Sequence, residues 1–166
     1  MTAADDLVEV QILQLPVPLW SRAHQLFDEL MREFALASAQ ADDGDDQHVP
    51  GRLTRLIDEL TARYSAGSSA QEEQLHAAAA AGQPVVDLLV FTLPAAIAEA
   101  FLALSDLLDE ADQYCLEGKH LLTLAAPADV VAFRRWYLGE FVLQVAGARP
   151  VPWPEYDGTW PPASPG

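Results

Sequence analysis

Apolar and polar residues alternate through Val8, Glu9, Val10, Gln11 and Ile12, the two-residue period of a strand with one covered face. Leu15-Pro16 closes that run, and Pro18 suits the first turn of a helix, where a missing N–H costs nothing. From there Leu19, Ala23, Leu26, Phe27, Leu30, Met31 and Phe34 recur at helical spacing, with Asp28, Glu29, Arg32 and Glu33 mostly on the other face. Residues 42–46 are a loop of like charges around Gly44. A second helix is expected after Pro50, with Leu53, Leu56, Ile57, Leu60 and Tyr64 inward. Ser69 and Glu72 have the spacing of a capping box, which predicts a separate Ala-rich helix over 69–81 ending at Gly82.

The pattern then begins again. Pro84 leads into an apolar run over 85–91, closed by Leu93-Pro94; apolar residues on both faces predict cover on both sides of this strand. Ile97, Phe101, Leu104 and Leu108 mark the next helix, ending near Gly118, and 121–126 reads as a short buried connection. The last helix follows Pro127, with Val130, Phe133, Tyr137, Phe141 and Val145 inward and Gly147 as its stop. Laying Pro94 on Pro16 aligns Val86 with Val8 and Val90 with Ile12, and a register moved by one lays Pro127 on Pro50 and Phe133 on Leu56. Either a strand-helix-helix unit occurs twice, with the 69–81 helix inserted, or two amphipathic units align by chance. A true repeat would pair the strands antiparallel across a pseudo-twofold axis.

The fold class expected is therefore α+β and helix-rich: a two-stranded sheet and five principal helices in one domain over 1–149. Residues 150–166 hold six prolines in seventeen positions and predict a proline-rich extended tail that is neither helix nor central strand. Trp153 should dock on the helices, because its ring can bury roughly 200 Å² of mostly apolar surface. Beyond Asp157-Gly158 only Trp160 could anchor the chain. Trp153 and Trp160 are thus the candidate partner-binding residues.

Composition narrows the classes. A chain of 166 residues with 51% hydrophobic content can bury a core without disulfides or metal. The single cysteine, Cys115, and an acidic N-terminus unlike a signal peptide lead to the expectation of a cytoplasmic protein. The longest uncharged apolar stretch, 88–98, is too short to span a membrane. A net charge of −16 argues against nucleic acid and anionic membrane surfaces, while leaving room for a basic protein partner or a homodimer.

Few motifs carry chemistry. Glu73 to His76 and Glu117 to His120 repeat the Glu-x-x-His spacing of di-iron sites, but Gly118 interrupts the second copy and no bridging carboxylates stand out. No metal or other cofactor is expected. Asp106, Asp109, Glu110 and Asp112 crowd one helix, while Arg134 and Arg135 lack an acid one turn away on their own. A tertiary ion-pair network is the simpler reading, and an anion-binding site the sharper one. His24 precedes Asp28 by one turn, as a proton relay or a surface pair would require. Cys115, near a helix C-terminus, reads as a small buried hydrophobe rather than a nucleophile. No phosphate-binding glycine loop or nucleophile elbow is present.

Three segments carry a resemblance: Leu15-Pro16-Val17-Pro18-Leu19-Trp20, Phe133-Arg134-Arg135-Trp136-Tyr137-Leu138-Gly139-Glu140-Phe141 and Pro150-Val151-Pro152-Trp153. Across nearly its whole length the chain resembles a family of small actinobacterial proteins associated with partner-switching regulators: serine phosphatases, anti-sigma kinases and anti-anti-sigma (STAS) domains. The resemblance implies a regulatory, non-catalytic role. The ATP-binding boxes of the kinases and the metal-binding aspartates of the phosphatases are absent from this sequence. Two functions are therefore expected. One is a regulatory interaction protein; the other is a small-molecule sensor or enzyme with a polar pocket near His24, Asp106 and Arg135, with Arg134 beside it. A polar-edged pocket favours the second, and a solid core with an exposed apolar patch the first.

Overall fold

A computed structural model of the protein describes residues 6–40, 49–117, 126–156 and 158. The elements run β1 (Leu7–Pro16), α1 (Val17–Gln40), α2 (Val49–Ala80), β2 (Val85–Pro94), α3 (Ile97–Leu116) and α4 (Ala128–Val145), followed by a 3₁₀ turn at Trp153–Glu155. The strands form one antiparallel pair, with Leu7 opposite Pro94, Val10 opposite Phe91 and Pro16 opposite Val85. Each second helix packs on the other half's strand, α2 against β2 and α4 against β1. No described helix is long and apolar enough to cross a membrane.

Four α-helices, not five, are found among the described residues. The helix expected over 69–81 is the continuation of α2, which runs unbroken through Gly67-Ser68-Ser69. Two contacts explain why the glycine does not stop it. A Cβ on Gly67 would meet Leu93 Cδ2 at 2.7 Å, so the missing side chain lets α2 pass close to β2. The Ser68 hydroxyl lies 3.4 Å from the carbonyls of Tyr64 and Ser65, within the helix itself. Beyond them Leu75 and Ala78 are buried, so packing favours continuing the helix. The stops at Gly82 and Gly147 are real: both take positive φ, 71° and 99°.

A two-stranded sheet is marginal in water unless covered. Here glutamines cover both free edges. The Gln144 side chain of α4 accepts from Gln11 N at 2.9 Å and donates to Gln11 O at 2.8 Å, as a neighbouring strand would. Gln71 of α2 donates to Val90 O at 2.6 Å. One face carries the core residues Val10, Ile12, Leu15, Val86, Leu89, Phe91 and Leu93. The step from Ile12 to Leu15 passes through Gln14, which takes a left-handed conformation (φ 53°). The other face is open. Val85, Leu88 and Val90 are exposed, which corrects the expectation that β2 is covered on both sides: all four helices gather on one side of the pair.

The tail also departs from expectation. Instead of lying wholly extended it makes a single 3₁₀ turn, which Pro154 tolerates near its start, where no N–H is needed. Trp153 is half-buried there against Phe133 and Trp136, with ring centroids 5.9 and 5.6 Å away, and stacks on Tyr156 at 5.9 Å. Residues 121–125 of the expected connection and Trp160 lie outside the described residues.

Candidate functional site

The apolar stripes that place each helix inward do not meet in a solid core. They leave a half-open cavity of about 350 Å³ between the helices and the inner face of β2. α1 contributes Trp20, His24, Phe27 and Leu30; α2 contributes Ile57, Leu60, Tyr64 and Leu75. Phe91 and Leu93 of β2 form part of the wall, with Phe101, Leu104 and Leu108 of α3 and Phe133, Tyr137 and Phe141 of α4. Many of these rings meet edge to face, as Phe141 does with Phe91 and Phe101 at 5.0 and 4.9 Å.

The polar groups on the wall are few, and they differ. Tyr64 is 6% exposed, and its hydroxyl has no hydrogen-bond partner among the described residues. Burial, with the charge of Glu72 nearby, pushes the Tyr137 phenol far above its ordinary pKa and keeps it neutral. Arg134 reaches the wall with its charge already engaged: Nη2 donates to Asp109 Oδ1 at 2.7 Å and to Asp112 Oδ2 at 2.6 Å. Arg135 Nη2 donates to the other oxygen of Asp109 at 3.1 Å. The second oxygen of Asp112 accepts from Ala126 N at 3.1 Å, so this network holds the start of the last helical segment to α3.

His24 stacks on Trp20 at 5.1 Å, and His76 stands edge-on to both rings at 5.1 and 5.2 Å. The Nε2 of His24 is 3.5 Å from Asp28 Oδ2, with both side chains well exposed, which is a surface pair. The pocket predicted near His24, Asp106 and Arg135 therefore forms with a different membership. His24 and Arg134 line one cavity from different helices, Arg135 stays in the ion-pair network, and Asp106 is exposed. Two residues from Leu104 on an α-helix is about 200° of rotation, which turns Asp106 away from the cavity wall. Among the described residues no group of three or more His, Cys, Asp and Glu could hold a metal, and His120 of the second Glu-x-x-His lies outside them. Cys115 is half-buried, and burial with the charges of Asp112 and Glu33 pushes its thiol pKa up, away from a reactive thiolate.

Sequence reasoning missed Glu140 and Gln144. Glu140 is 3% exposed; Oε2 accepts from Gln144 Nε2 at 2.8 Å and from Val151 N at 3.1 Å. Trp136 Nε1 donates to Val151 O at 2.8 Å. One carboxylate thus joins the tail, α4 and, through Gln144, the backbone of β1. The available signal was position: 133, 136, 140 and 144 fall on one helical stripe, where two polar side chains must find partners.

No protein-family profile, curated protein or solved structure matches the chain.

Proposed function

We propose that the chain is a non-catalytic ligand-binding protein, a sensor that holds a small, mainly apolar molecule in the cavity between its helices. The cavity carries this reading: 350 Å³ falls within the range of small-molecule sites, and apolar walls with a few polar groups are their usual chemistry. On the wall, Ser68 is bonded to helix carbonyls and Arg134 to aspartates. A sensor of this kind fits the regulatory setting that the resemblance to proteins of partner-switching pathways implies. The test is titration with the uncharged fluorophore N-phenyl-1-naphthylamine. Saturable enhancement at one site per chain, with unchanged far-UV circular dichroism, supports the reading; enhancement that never saturates overturns it.

A second reading, a protein-interaction role, is favoured by the open sheet face, where Val85, Leu88 and Val90 are 42%, 47% and 37% exposed. Leu88→Glu would weaken capture of a protein partner through that face and leave fluorophore binding unchanged.

A further inference from the structure

If the cavity holds a ligand, as proposed for its function, the wall limits that ligand's chemistry. Among the described residues Arg134 is the only lysine or arginine on the wall, and Asp109 and Asp112 already bond its Nη2. The remaining ionisable wall groups include two carboxylates, Glu72 and Asp112, on a chain of net charge −16. An anionic head group would enter against these charges, and the one guanidinium among the described wall residues is already shared between two carboxylates, with its buried Nε left unpartnered. A cationic head would find Glu72, which is exposed, so solvent weakens that attraction while the cavity interior keeps its desolvation cost. An uncharged oxygen meets neither penalty. It also has a candidate partner: Tyr64 is on the cavity wall, and its hydroxyl is buried with no hydrogen bond among the described residues. We infer that the cavity takes an uncharged, mainly apolar molecule bearing one hydroxyl or carbonyl that hydrogen-bonds to Tyr64. Burial that keeps Tyr137 neutral is consistent with a site that resists charge. At about 30 Å³ for each water-sized group, the cavity holds on the order of a dozen, roughly the size of a ten- to twelve-carbon alcohol.

The test is calorimetric titration of the full chain with 1-decanol, decanoate, decylamine and the oxygen-free butylbenzene. Decanol should bind at least about tenfold more tightly than either charged analogue. Tyr64→Phe removes only the hydroxyl, and relieving an unpaired buried group should leave the melting temperature unchanged or raised. That variant should bind decanol about three- to tenfold more weakly and butylbenzene as before. Tighter binding of decanoate or decylamine, or an equal effect of Tyr64→Phe on butylbenzene, overturns the uncharged-oxygen inference while leaving a ligand-binding cavity. Failure of all four probes overturns both.

Discussion

α2 and α4 occupy equivalent places in the two strand-helix-helix halves, yet they hold their buried polar side chains to different extents. On α4, Arg134, Trp136, Glu140 and Gln144 all bond to other elements: α3, the tail and the backbone of β1. On α2, Arg52 and Gln71 also bond to α3 and β2, but Tyr64 on the cavity wall keeps a buried hydroxyl without a partner among the described residues. Buried polar groups are normally satisfied. Arg134 and Arg135 each leave a buried Nε unpartnered among the described residues while their Nη2 atoms bond to α3, so α4 frames the fold, whereas the single hydroxyl of Tyr64 makes no hydrogen bond there. Their glycines differ in the same sense. Gly147 ends α4 by taking φ 99°, whereas Gly67 continues α2 and removes a side chain that would strike Leu93.

Breaking the frame should have the largest effect. Glu140→Ala takes the acceptor from Val151 N and one of the two acceptors from Gln144 Nε2, and should lower stability by about 3 kcal/mol in urea denaturation. Tyr64→Phe, by the same measurement, should be neutral or slightly stabilising; comparable losses would erase the distinction between the helices. Trp153→Ala removes a half-buried ring from Phe133 and Trp136 and should cost about 2 kcal/mol, less than a fully buried tryptophan. Thermal melts of the two glycine variants sharpen the other half of the contrast. Gly147→Ala should cost about 1–2 kcal/mol from its backbone conformation. Gly67→Ala should cost about 1 kcal/mol, because gained helix propensity offsets part of the contact with buried Leu93.

The smallest effect is on pH dependence. Burial holds the Glu140 carboxyl above the usual carboxylate range, so the folded state binds its proton more tightly than the unfolded state. This group's contribution to stability is therefore greatest below the ordinary carboxylate value and falls as pH rises through the raised one. Glu140→Gln keeps an acceptor oxygen and removes the titration. Stability measured across that window should fall less with pH in the variant, and equal slopes would show that Glu140 is not the group responsible.

The strands, the stripes of four helices and the docking of Trp153 were legible because each rests on local periodicity or on one large apolar ring. The fusion of 69–81 with α2 was not. Ser69 and Glu72 are equally spaced in a capping box and in a helix interior, and contacts with β2 decide between them. The open face of β2 was hidden for a related reason: Leu88 and Val90 look inward until helix placement is known. The candidate site was half legible. His24 and Arg134 stood out by type, and Tyr64 was expected to face inward. Whether facing stripes interlock or leave space depends on three-dimensional ring packing, which no spacing along the chain records.

The central claim is that the interhelical cavity, not the exposed sheet face, holds the apolar ligand. Methyl-detected nuclear Overhauser measurements with bound 1-decanol locate it directly. Binding in the cavity predicts cross-peaks from the alkyl chain to the methyls of Leu60, Leu104 and Leu138, which line it. Cross-peaks confined to Val85, Leu88 and Val90 would place the alcohol on the open face and contradict the claim.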